Sequence, residues 1–120
     1  MDPVVTPLIE RIRRELSFVE TRSPATSLDY FEGVLLRANT DACLTLLHGA
    51  FGEPMKALGV PVTFEPETRL IVEQLGGIRL EQALFLKPRD TRHGVYAALW
   101  PWASNAERVT LKVGVYRVQV

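Results

Sequence analysis

Residues 78–120 constrain the fold most. They hold three β-patterned runs, 78–87, 94–102 and 108–120, and both faces of those runs are apolar. In the middle run Val95, Ala97 and Leu99 alternate with Tyr96, Ala98, Trp100 and Trp102. A sheet face turned to water is normally polar, so the second face needs a cover. The two links between the runs are short and turn-like, one holding Arg89-Asp90 and the other Ser104-Asn105. That pattern predicts an antiparallel meander.

Alternation assigns an aliphatic inner face to Ile78, Leu80, Leu84 and Leu86, then Val95, Ala97 and Leu99, then Val109, Leu111, Val113 and Val115. The opposite face receives Arg79, Glu81, Ala83, Phe85 and Lys87, then Tyr96, Ala98, Trp100 and Trp102, then Thr110, Lys112, Gly114, Tyr116, Val118 and Val120. Its charges lie near the ends and its aromatics near the middle. Ala98 and Gly114 leave shallow space between Trp100, Tyr96 and Tyr116.

Helices are expected upstream. Asp2-Pro3 has the form of an N-cap followed by proline at the first helical position. Val5, Leu8, Ile9, Ile12, Leu16 and Val19 then recur at helical spacing, which predicts a helix over 3–20. Residues 28–37 suit either a strand, through Tyr30, Phe31, Val34, Leu35 and Leu36, or a short helix capped by Ser27; Gly33 favours the strand. A second helix starts at a cap on Asn39 or Thr40 and runs to Phe51, where Gly52 and Pro54 end it. Residues 52–66 read as a loop. Residues 68–75 form a short helix closed by Gly76-Gly77, with Leu70, Ile71 and Leu75 inward, or else a strand.

These elements predict a single α+β domain over 1–120. Its antiparallel sheet has three to four strands, built around the C-terminal meander, with the N-terminal helices packed on one face. At 120 residues the chain can bury a full core without metal or disulfide.

Function turns on the second face. Phe85, Tyr96, Ala98, Trp100, Trp102, Gly114 and Tyr116 form the candidate binding surface. Three covers compete for it. The first is intramolecular, the third helix or the 52–66 loop. The second is another copy of the chain, making a homodimer. The third is a ligand, either an extended segment of another protein or a small aromatic molecule. The expectation is a non-enzymatic module that self-associates or binds a partner through this face. The alternative is a small-molecule-binding protein or enzyme with a pocket between the sheet and loop 52–66. A concave pocket with convergent polar groups beside Trp100 would favour a small molecule; a flat, dry aromatic surface would favour a protein interface.

Other chemistry has weaker support. Cys43 and His48 could be a nucleophile and base, but five residues apart on a helix they diverge by about 140°. Cys43 sits in an apolar arc with Leu44, Leu46, Leu47, Ala50 and Phe51, as a small buried hydrophobe would. Two histidines without partners at ligand spacing predict no metal site. No phosphate loop, nucleophile elbow or cofactor motif occurs, so no cofactor is expected. Arg11, Arg13 and Arg14 have carboxylates at helical spacing, as on a solvated helix face.

Lys plus Arg equals Asp plus Glu, so long-range attraction to nucleic acid or anionic lipid is not expected, and resistance to self-association is low. A single cysteine excludes an intrachain disulfide and suits a reducing, cytoplasmic setting. No leader peptide or membrane span is expected, because charges interrupt every apolar run.

Overall fold

A computed structural model describes residues 2–90 and 92–118. The chain runs through helix α1 (Val5–Glu15), strands β1 (Glu20–Thr21) and β2 (Phe31–Leu36), a 3-10 turn (Arg37–Asn39), helices α2 (Thr40–Phe51) and α3 (Pro66–Gln74), and strands β3 (Ala83–Pro88), β4 (His93–Pro101) and β5 (Arg108–Arg117). The fold is α+β. Its strands form one five-stranded antiparallel sheet in the order β1-β2-β5-β4-β3.

The meander is where the sequence puts it. The fifth strand is not. The periodic pattern of the first helix continues through Leu16 and Val19, but the helix stops at Glu15 and Leu16 is already extended, with ψ 148°. Beyond it Val19 N–H donates to the Val34 carbonyl and Arg22 N–H to the Glu32 carbonyl, so 19–22 pairs with β2. Phe18 packs on Phe31 with ring centroids 4.9 Å apart. Sheet pairing and aromatic packing thus override the helical repeat. At the other end of α1, Asp2 does cap the first turn, Oδ1 accepting from Val4 N–H at 2.8 Å and Val5 N–H at 2.9 Å. The cap expected on the second helix is absent: Asn39 makes no side-chain capping bond, and the 3-10 turn leads into α2 instead. Gly52, at φ 83°, ends that helix as expected.

The helices occupy both faces rather than one. α1 and α2 bury Val5, Leu8, Ile9, Ile12, Cys43, Leu46 and Leu47 against the first face, where they meet Phe31, Leu35, Val95, Ala97, Leu99, Val109, Leu111 and Val113. α3 lies on the second face, where Ile71 and Val72 join Leu84, Leu86, Tyr96, Ala98, Tyr116 and Val118. Val72 takes the inward place expected of Leu70, which is exposed. α3 closes with a Schellman turn: Gly77 N–H donates to the Val72 carbonyl and Gly76 N–H to that of Glu73, with both glycines at positive φ.

The expected face assignment fails in β3. Ala83 pairs with Leu99 and Phe85 with Ala97, so Ala83 and Phe85 belong to the core under α1 and α2. Leu84 and Leu86 take the second face. The expected alternation starts at residue 78, but 78–82 is not a strand, and a turn includes Leu80 and Glu81. A buried lysine organises that turn, Lys56 Nζ donating to the carbonyls of Ala57, Leu80 and Gln82. Lys56 also forms a bridge with Leu84, so loop 52–66 shields the outer edge of β3. Val115 is on the expected side of β5 but is exposed, and Val120 lies outside the described residues.

Candidate functional site

The second face is not uniformly covered. α3 seals the end with Leu86, Tyr116 and Val118. Towards Trp100 it stands off the sheet and leaves a cleft of about 190 Å³. Tyr30, Tyr96, Ala98, Trp100, Lys112 and Leu84 line it from the sheet side. Val72, Gln74, Leu75, Gly77 and Ile78 line it from α3 and its C-terminal turn.

Register builds the floor. Lys112 of β5 lies between Glu32 of β2 and Ala98 of β4, and Ala98 in turn faces Leu84 of β3. One row along, Gly114 pairs with Tyr96. A Cβ on Gly114 would stand 3.1 Å from Tyr96 Cε1 and 3.2 Å from Tyr30 Cδ1, so the glycine lets both rings lie close over the strand. Small residues on the floor and large rings around them make the hollow.

Its polar groups converge. The Lys112 ammonium sits 3.9 Å from the centroid of the Trp100 ring, a cation–π contact, and forms no ion pair among the described residues. Glu32, its neighbour across the strands, instead accepts a 2.7 Å hydrogen bond from the Tyr30 hydroxyl. The Trp100 indole nitrogen is buried without an acceptor among the described residues. Burial raises the pKa of Tyr30, and Glu32 adds to the effect; burial and Glu32 likewise raise that of Tyr96. Both hydroxyls are protonated at neutral pH, and that of Tyr30 is committed to Glu32.

The expected surface is thus divided. Tyr96, Ala98 and Trp100 meet at the cleft. Gly114 lies under its rings, while Tyr116 is buried deeper beneath α3. Trp102 is at the open end of the face, donating from Nε1 to Thr110 Oγ1 at 2.8 Å with the Arg22 guanidinium over its ring. Phe85 is on the other side of the sheet. Of the competing covers, the intramolecular one is in place, supplied by α3 with Phe64 at the end of the preceding loop. Loop 52–66 also borders a groove beside Trp102, through Leu58 and Gly59 with Arg37 and Glu81, but that hollow is broad and open.

Sequence reasoning missed Tyr30 and Lys112 as site residues. Tyr30 precedes β2 by one position, and only the adjacency of β2 and β5 brings it over Gly114. Lys112 carried a usable signal, being a charge in the middle of an otherwise apolar row.

The other candidates stay apart. Cys43 is fully buried, burial pushing its thiol up to about 12, and His48 is exposed on the same helix with its ring edge-on to Phe85. His93 pairs with Asp90 in the β3–β4 turn, at 2.8 Å. Arg11 pairs with Glu15 at 2.7 Å, and Arg13 donates to the carbonyls of Pro24 and Ala25. Among the described residues no three His, Cys, Asp or Glu side chains cluster as metal ligands, and no helix is long and apolar enough to cross a membrane. Comparison with protein-family models, with curated proteins and with solved structures finds no match to this chain.

Proposed function

We propose that this protein binds a small molecule in the cleft between α3 and the aromatic face of the sheet. One observation carries the reading: a concave space of about 190 Å³ beside Trp100, walled by three aromatic rings and aliphatic side chains, with an ammonium and two phenolic hydroxyls among its lining residues. An apolar cavity of about 150 Å³ is enough for benzene. The cleft therefore suits a ligand of single-ring size, with polar groups to orient it. Self-association through the same residues fits less well, because α3 would first have to leave Tyr96, Ala98 and Tyr116.

Saturation-transfer NMR with a panel of neutral, acidic and basic single-ring compounds tests the reading. At least one compound should give a saturable signal that Ala98→Leu abolishes by filling the floor. No signal from any compound, or signals untouched by Ala98→Leu, would reject it.

A further inference from the structure

We infer that the ligand of this cleft is a small ring monocarboxylate, an inference that rests on the cleft being a binding site. Among the described residues, Lys112 is the one charged residue lining it. Its ammonium contacts the face of Trp100 and has no carboxylate partner among the described residues. Glu32 is the nearest candidate in register, but it does not line the cleft and is engaged by the Tyr30 hydroxyl. Of the other polar lining groups, the Tyr30 hydroxyl is committed to Glu32, the Tyr96 hydroxyl and the Gln74 amide can donate, and the Trp100 indole N–H has no acceptor among the described residues.

A half-buried ammonium beside the Tyr96 phenol is complementary to an anion. A cationic ring ligand would meet the opposite situation. The Trp100 face that would hold it already carries Lys112, and two like charges would share a partly desolvated space. A neutral ring would fill the volume but leave the ammonium with only the indole. The wall facing the sheet carries Val72, Leu75 and Ile78, with Gln74 its one uncharged polar side chain among the described residues, so the acid group belongs at the Lys112 side and the ring under α3.

Isothermal calorimetry on the full chain with benzoate, benzyl alcohol and benzylamine tests this directly. Benzoate should bind at least tenfold more tightly than benzyl alcohol, benzylamine should bind weakest, and added salt should erode only the benzoate preference. Lys112→Met should bring benzoate to parity with benzyl alcohol. Lys112→Arg, which retains the charge, should keep the preference. Parity in the native protein, a preference for benzylamine, or an undiminished benzoate preference in Lys112→Met would overturn the anion inference and leave the cleft as a binding site. Failure of all three probes to bind would reject the site and the inference together.

Discussion

Ala97 and Ala98 are neighbours in β4, 0% and 3% exposed, yet they enter different interiors. Ala97 faces α1 and α2 among Phe31, Phe85, Leu99 and Leu111, which are all essentially inaccessible. Ala98 faces α3, where half the surface is sealed and half opens into the cleft. The first face is built from two helices and a core cluster of apolar residues, Phe31 and Phe85 the largest of them. The second has one nine-residue helix, and its cleft alone is lined by two tyrosines, a tryptophan and a lysine. Close packing makes the first face intolerant of volume changes. A single short helix cannot cover five strands, and the second face holds space in consequence. The sealed core and the proposed ligand site thus lie on opposite sides of one sheet.

The largest expected effect lies on the first face. Leu111→Ala should cost about 2–5 kcal/mol, because Leu111 is completely buried between the sheet and its helices. Lys112→Ala, one residue on and facing the cleft, should cost about 1 kcal/mol or less. Denaturant unfolding of both variants checks the pair, and a larger loss for Lys112→Ala would mean that β5 is rotated by one residue.

Overpacking should divide the same two sides. Ala97→Leu has no free volume to enter and should destabilise by about 1–3 kcal/mol. Ala98→Leu extends into the cleft and should stay within about 1 kcal/mol of the native protein. Equal penalties in thermal unfolding would mean that the cleft is closed in solution.

A smaller effect concerns how α1 is fixed to the first face. Desolvation opposes ionisation of Asp2, but the Val5 and Val4 amides and the Arg89 guanidinium, 2.9 Å away, outweigh it and hold the pKa below 3.8. A depressed carboxylate pKa stabilises the fold above pH 3.8, and that contribution is lost as pH falls through the folded-state value. Asp2→Ala should cost about 1 kcal/mol at neutral pH. The gap from the native protein should narrow below about pH 3.8; a gap independent of pH would show that the cap does not act through its charge.

Much of this division is legible in the sequence, up to the point where it depends on strand order. Gly52 and Gly76-Gly77 end helices where local chemistry predicts, and the alternation in 94–102 separates Ala97 from Ala98 correctly. The same logic fails at Ala83-Leu84-Phe85-Leu86, because all four are apolar and all four are buried, so no polar residue marks a face. β1 is hidden because its approach continues a helical repeat. The cleft is half visible: Tyr96, Ala98, Trp100 and Gly114 declare a hollow in an aromatic face. Tyr30 and the α3 wall arrive from distant segments, and no local spacing encodes that meeting.

Chemical reactivity should show the smallest change of all. Cys43 lies in the sealed interior with a raised pKa, so a thiol reagent should label the native protein slowly and the unfolded protein fast. Rapid stoichiometric labelling of the folded chain would contradict the sealing of the first face.

The two tryptophans offer the most direct test of the central claim, that the second face is a ligand site at Trp100. The chain has two indole N–H groups: that of Trp102 is bonded to Thr110, and that of Trp100 has no acceptor among the described residues. In a proton–nitrogen correlation spectrum recorded during benzoate titration, the Trp100 indole resonance, assigned by Trp100→Phe, should shift saturably as the ring enters the cleft. The Trp102 resonance should stay nearly fixed. Movement of Trp102 alone, or no movement of either at millimolar benzoate, would contradict the account.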